Sequence, residues 1–320
     1  MVPKKTEASD PRYPGWRGAP SFISITSCYS DNGGAIFWGL EGNYDVSVTA
    51  EEISGWSKWF RTEWSGPGQP KRMVLMAATA IENHGLQFWT LDDKLDLWSA
   101  AMAAPGDKFS PWVRNWNDSP RTLRRVAAVH RRDTSSAAIW AIQSSDYSLI
   151  SCYKRAPENT WTGWKPWPLT PQKSQFVELA AALQNDGRAA LWAIDTKLQL
   201  WFCSETTPGG EWSDWNGPNW NGAPKLFSIA ACMQGGSYGA TLWGVKEDGY
   251  SLINTSQIMP GGKWSNWSAD NWQGSKPVIT ITAALQKNGT VRLWATQAMF
   301  LSLSSIAQTS PGGGWGNWGG

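Results

Sequence analysis

Residues 226–267 read LFSIAACMQGGSYGATLWGVKEDGYSLINTSQIMPGGKWSNW. Four short runs, LFSIAACM, ATLWGVK, YSLINTS and WSNW, are separated by turns carrying glycine or proline. The runs have the length and composition of strands, and none holds a helical period. A four-strand unit of this kind buries its faces only against copies of itself.

The copies lie at a fixed period. Trp38, Trp89, Trp140, Trp192, Trp243 and Trp294 follow one another at spacings of 51, 51, 52, 51 and 51. Each sits in a similar hexapeptide: IFWGLE, QFWTLD, AIWAIQ, ALWAID, TLWGVK or RLWATQ. A second column is Trp16, Trp64, Trp116, Trp167, Trp220 and Trp272. A third is a W-x-x-W pair at Trp56/Trp59, Trp161/Trp164, Trp212/Trp215, Trp264/Trp267 and Trp315/Trp318, with Phe109/Trp112 in the second repeat. These columns hold 23 of the 25 tryptophans, and the other two, Trp98 and Trp201, each stand nine residues after a strand-two tryptophan. The period and the four runs predict an all-β, six-bladed propeller with four antiparallel strands per blade. Residues 1–15 read as a polar tail and 16–320 as one propeller, with repeats starting near 16, 64, 116, 167, 220 and 272. The small-residue runs MAATA (76–80), VAAV (126–129), LAAAL (179–183), IAAC (229–232) and TAAL (282–285) belong on the innermost strand, where blades taper. The W-x-x-W run then fills the wide gap at the rim. A turn proline recurs at Pro105, Pro157, Pro208, Pro260 and Pro311, and the first repeat lacks it.

The bulk numbers exclude several classes. Twenty-eight basic and 26 acidic residues leave a net charge of +2, which argues against a partner bound through phosphates. No apolar stretch reaches the roughly 18–20 residues needed to span a bilayer. The start, MVPKKTEASDPRYPGW, lacks the apolar segment of a secretory signal, so the expected location is cytoplasmic, or outside after release without a signal peptide. Cys28 and Cys232 occupy equivalent places in repeats one and five, and Cys152 and Cys203 on the third strands of repeats three and four. Places equivalent in different blades are too far apart to bridge, and all four are expected as free buried thiols. No cofactor is expected. The two histidines, His84 and His130, lack metal-ligand spacing, no nucleophile or phosphate-loop motif occurs, and no enzymatic activity is expected.

Packing alone accounts for the strand-two tryptophans. The crossing and rim columns can also leave an indole face open, and the C–H face of a sugar ring stacks on such a surface. Polar residues recur beside them. Lys154, Glu205, Gln257 and Gln308 stand three before the turn proline, with Met102 breaking the set; Glu41, Asp92, Gln143, Asp195, Lys246 and Gln297 stand three after the strand-two tryptophan. Both sets read either as sugar-hydroxyl partners or as solvated strand ends. In the third repeat Arg121, Arg124, Arg125, Arg131 and Arg132 form a cluster able to hold an anion or to make a solvated basic face.

Segments such as LWFCSETTPGGEWSDW (200–215), NTSQIMPGGKWSNW (254–267) and SIAQTSPGGGWGNW (305–318) resemble the repeats of tryptophan-rich propeller lectins, above all the fucose-binding bacterial lectins of the Photorhabdus type. Those have seven blades where this chain shows six repeats. The resemblance implies multivalent binding of glycans or glycoconjugates, of fucose or O-methylated sugars, in shallow pockets between blades. The residues expected there are Trp212, Trp215, Trp220, Trp264, Trp267, Trp272, Trp315 and Trp318 with Glu205, Gln257 and Gln308. The pocket that depends on the first repeat's outer hairpin is expected to be empty or altered. A protein-docking propeller, and a small-molecule binder or enzyme using the central channel, are the alternatives. Homo-oligomerisation is left open.

Overall fold

Antiparallel pairing joins consecutive runs into six sheets in chain order, the blades of a propeller. The computed structural model describes residues 19–30, 34–52, 55–57, 59–61, 70–80, 85–102, 109–120, 122–131, 136–155, 160–168, 171, 174–235, 239–259, 262–269, 272, 276–299 and 301–319. The inner strands are Phe22–Ser30, Met73–Ala80, Leu123–Arg131, Phe176–Leu183, Leu226–Met233 and Val278–Leu285. Their first halves line one end of an axial channel and their second halves the other, so all six run the same way along the axis. The second strands are the most deeply buried: Ala189–Asp195 and Leu86–Asp92 are buried at every position, and Val291–Gln297 at all but Arg292 and Gln297. Both their faces are covered by neighbouring blades, which is why they read as unbroken apolar runs rather than alternating ones.

Six hydrophobic clusters make up the core, one at each seam between blades. Every strand-two tryptophan is at most 2% exposed. The largest rigid side chain thus fills the same wedge-shaped gap six times, and this column is core.

The blades are not uniformly four-stranded; the sheets have three, four or five strands. In the last three blades the W-x-x-W run pairs only at isolated points, as in Glu205 with Trp212 and Phe202 with Asn216. In blades one and three it splits into two short pieces, Gly55–Trp56 with Phe60–Arg61 and Thr160–Trp161 with Lys165–Pro166. The cause lies in the spacing. Residues three apart on a regular strand point to opposite faces, yet Trp212 and Trp215 pack into the same seam, as do Trp264/Trp267 and Trp315/Trp318. The chain bows between the two indoles to bring both inward, and the ladder breaks there.

The ring closes by face packing of blade six on blade one. Phe22 N–H donates to Leu301 O at 3.1 Å, Ser27 and Thr282 hydroxyls pair at 2.8 Å, and Trp294 packs against Phe37 and Trp56, each at 5.4 Å. The paired strands of blade six all come from its own repeat, Val278–Ala307.

Candidate functional site

Five of the six seams carry a repeated aromatic arrangement; between blades one and two the rim residues Phe109 and Trp112 pack on Phe88 instead. The strand-two tryptophan of one blade meets, nearly edge to face, the first rim tryptophan of the next. Trp89–Trp161, Trp140–Trp212, Trp192–Trp264, Trp243–Trp315 and Trp294–Trp56 have centroids 5.4–6.0 Å apart at interplanar angles of 75–90°. A crossing tryptophan lies beside them: Trp116, Trp167, Trp220 and Trp272 sit 4.8–5.0 Å from Trp161, Trp212, Trp264 and Trp315. These are the edge-to-face geometries that the indole quadrupole favours.

Depth separates the columns in the last three blades. There Trp167, Trp220 and Trp272 are buried at 3–6% exposure, whereas Trp212, Trp215, Trp264, Trp267, Trp315 and Trp318 stay half-buried. Elsewhere the order is mixed: crossing Trp116 is half-buried, and rim Trp59 and Trp112 are buried. Trp16 and Trp64, expected at the crossing between the remaining blades, lie outside the described residues.

The recurrent polar residues are held by backbone. Glu205 accepts from Ala189 N–H at 2.8 Å and Gly209 N–H at 3.3 Å. Gln257 accepts from Ala240 N–H at 3.2 Å and donates to Gln184 of the preceding blade at 2.6 Å. Gln308 accepts from Val291 N–H at 2.9 Å and donates to Gln234 of the preceding blade at 3.0 Å. Each side chain satisfies the first amide of a second strand, a donor that would otherwise be orphaned at the hairpin. Sequence reasoning missed the first-blade member of this set. Glu51 accepts from Ala35 N–H at 3.0 Å and, across the closure seam, from Lys287 N–H at 2.9 Å. The series Glu51, Met102, Lys154, Glu205, Gln257, Gln308 has steps of 51 and 52, so the period would have found it without the proline.

The other polar column caps turns, except for the part-exposed Lys246, which pairs with Asp248 at 3.0 Å. Asp92 takes the N–H groups of Lys94 and Asp96 on one oxygen, each at 2.9 Å, and the Trp98 indole N–H on the other at 2.9 Å. Asp195 repeats this with Lys197, Gln199 and Trp201, which accounts for the two tryptophans outside the main columns. Glu41 and Gln143 accept from Ser47 at 2.6 Å and Ser148 at 2.8 Å.

One seam holds a cation. Arg292, two residues before Trp294, lies 5.6 Å over the ring of Trp56 and donates to the Ser305 hydroxyl at 3.1 Å. Burial holds its guanidinium down at about 10, against the opposing pull of Glu51. A guanidinium on an indole beside a hydroxyl combines hydrogen-bond donors with a flat apolar wall.

The third-repeat arginines do not form one site. Arg124 and Arg125 begin the strand Leu123–Arg131, which carries Arg131 to the far end of the channel, roughly 20 Å away at the rise of a strand. Arg125 is paired with Glu178 at 2.9 Å, and Arg124 lies 5.2 Å over the ring of Tyr147. Arg121 and Arg132 lie outside the described residues, as does His84. The axial channel holds cavities of about 230 and 500 Å³ near its two ends. All four cysteines are free, three of them buried; burial pushes the Cys152 thiol up to about 11. Among the described residues no helix is long and apolar enough to cross a membrane.

No family model and no curated protein matches this chain. Solved structures do. AofleA from Arthrobotrys oligospora superposes with a TM-score of 0.69 at 12% identity, over 92% of this chain and 85% of its own. The fucose-specific lectin of Aleuria aurantia gives 0.63 at 14%, covering 92% and 93%, and its fold is described as a six-bladed β-propeller. A lectin from Burkholderia pseudomallei gives 0.63 at 15%, covering 94% and 99%. What is shared at this identity is the six-bladed fold, which matches the six repeats read here.

Proposed function

We infer that this protein is a multivalent lectin that binds monosaccharide units, with fucose or an O-methylated sugar as the first candidates, in shallow pockets between its blades. The carrying observation is the seam itself: in the last four blades, half-buried rim indoles stand against a buried strand-two tryptophan. The fold shared with the fucose-specific lectin of Aleuria aurantia supports the choice of ligand class. Pairs Trp212/Trp215, Trp264/Trp267 and Trp315/Trp318 offer the stacking faces, with Trp220 and Trp272 behind them. Glu205, Gln257 and Gln308 hold the pocket floor by fixing the second strand beneath the rim. Where blade six meets blade one, Arg292 on Trp56 adds the donors that sugar hydroxyls require. Binding without catalysis is the proposed mode: Asp92 and Asp195 spend both oxygens on backbone and indole N–H groups, and Glu205 and Glu51 each hold two backbone N–H groups on one oxygen.

A glycan array followed by crystals soaked in methyl fucoside tests this. Sugar-inhibitable signals and density against the rim indoles are expected. Density confined to the axial channel, or an array blank for neutral sugars, would overturn it in favour of a channel ligand.

A further inference from the structure

The two ends of the channel differ in a way that the sugar reading does not use. Every inner strand skips one residue of its ladder near its start, leaving Ile23, Val74, Arg124, Val177, Phe227 and Ile279 as bulges on one face of the disc. Around them runs a second ring on the turns between second and third strands. Tyr44, Leu95, Tyr147, Leu198, Tyr250 and Leu301 all have φ between 52° and 70°. Leu95, Tyr147, Leu198, Tyr250 and Leu301 each offer their carbonyl to the first inner-strand N–H of the next blade, at 2.8–3.4 Å. This ring is fixed in place by the architecture. Of the eight exposed large apolar residues among those described, Ile23, Val74, Tyr44, Tyr250 and Met299 lie on this face, while Ile258 and Met259 lie on the opposite one.

We propose that this face docks a second copy of the chain, giving a face-to-face dimer with its twofold axis along a seam between blades. Two observations select that occupant. Part of the charge around the apolar rings is compensated within one copy, through Arg72–Asp93, Arg125–Glu178, Lys225–Glu247 and Lys246–Asp248, while exposed Lys71, Lys94, Lys197 and Lys276 stand outside these pairs. A rim of paired charges around an apolar centre is the anatomy of a protein–protein interface. The second observation is the strict alternation of large tyrosine and smaller leucine around the ring. Six blades stand about 60° apart, and turning the disc over about an axis between two of them sets every tyrosine on a leucine of the other copy. Self-complementarity of this kind is what an isologous contact requires. The tyrosines are already ordered, Tyr44 under Arg72 at 5.7 Å, Tyr147 under Arg124, and Tyr250 against Phe227 at 5.3 Å, so docking orders little that is loose. With their flanking turns the two rings approach the roughly 20 residues a side of a standard interface.

Sedimentation velocity without sugar at about 1–100 μM tests the proposal, and its result is independent of any glycan experiment. The parent is expected at twice its 35.3 kDa chain mass. Ile23→Glu with Val74→Glu should give monomer, and Ile258→Glu with Met259→Glu on the opposite face should leave the dimer intact. Replacing Leu95, Leu198 and Leu301 by Tyr sets ring on ring and should weaken association at least ~10-fold. Near-ultraviolet circular dichroism checks that each variant is folded, and Tyr250→Lys replaces the double glutamate variant if that one is not. A parent monomeric at 100 μM, or a dimer surviving the double glutamate change, overturns the proposal. Indifference to the leucine changes overturns the tyrosine-on-leucine register. A monomer that binds phosphatidylserine vesicles through Ile23 and Val74 gives the face to lipid instead and overturns the dimer.

Discussion

A buried indole, a buried thiol and a half-buried guanidinium each turn into a measurement. Trp192 and Trp243 are fully buried and lie against Trp264 and Trp315 of the next blade. Truncating either to alanine leaves a cavity that the rigid blades cannot collapse, and the loss of unfolding free energy in urea should be ~3–5 kcal/mol. Cys152 donates to Thr162 O at 2.8 Å, and burial raises its pKa from an ordinary 9.0 to about 11. The folded state therefore holds the proton more tightly than the unfolded one. That stabilisation is present below pH 9 and is lost as pH rises towards 11. Urea midpoints should fall across that window, and a thiol reagent at pH 8 should count four cysteines only after unfolding. Arg292 shows the opposite case, a charge disfavoured by burial. Glu51 keeps its two N–H donors when the arginine is gone, so Arg292→Met should leave the melting temperature within a few degrees while removing sugar from the closure seam. A large loss of stability would make Arg292 a structural latch.

At the scale of strands and turns, the acceptor before the outer turn explains why both glutamate and glutamine serve at one position, in Glu51, Glu205, Gln257 and Gln308. Either supplies the oxygen that the first amide of the second strand needs. Glu205→Gln should thus be nearly neutral, and Glu205→Ala should cost ~1–3 kcal/mol by leaving Ala189 N–H buried and unpaired, both read from thermal unfolding. Blade number and order were legible from tryptophan spacing, because a rigid ring must recur wherever the same gap recurs; the uniform four strands per blade were not borne out. The broken outer strand was also written in the spacing of W-x-x-W, an odd interval that a pleated strand cannot place on one face. The task of Glu205, Gln257 and Gln308 was not legible. A polar side chain at a strand end looks the same whether it turns to solvent or back onto its own hairpin, and only the fold brings Gln184 and Gln234 within reach. The arginine run misled in a similar way, since residues adjacent in sequence are separated by the length of a strand.

For the molecule as a whole, sugar sites repeated at the seams would make the ring a strong surface out of weak sites. A shallow pocket walled by one or two rim indoles buries few ligand atoms, so a free monosaccharide should bind with a millimolar to high-micromolar dissociation constant. Sites repeated around one rigid disc hold their neighbours at a high effective concentration once the first has engaged. On a dense glycan surface the apparent affinity should then exceed the single-site value by ~10²–10⁴. Titration calorimetry with methyl fucoside gives the first number, and surface plasmon resonance on fucosylated polymer at high and low density gives the second. The ratio should collapse at low density, where adjacent pockets cannot find ligands together. Replacing Trp212, Trp264 and Trp315 one at a time by phenylalanine, which keeps an aromatic wall against the strand-two indole, should lower avidity in steps while each remaining pocket keeps its own constant. If one replacement abolishes all binding, or the affinity is independent of density, then a single site carries the recognition and the repeated seams serve packing alone.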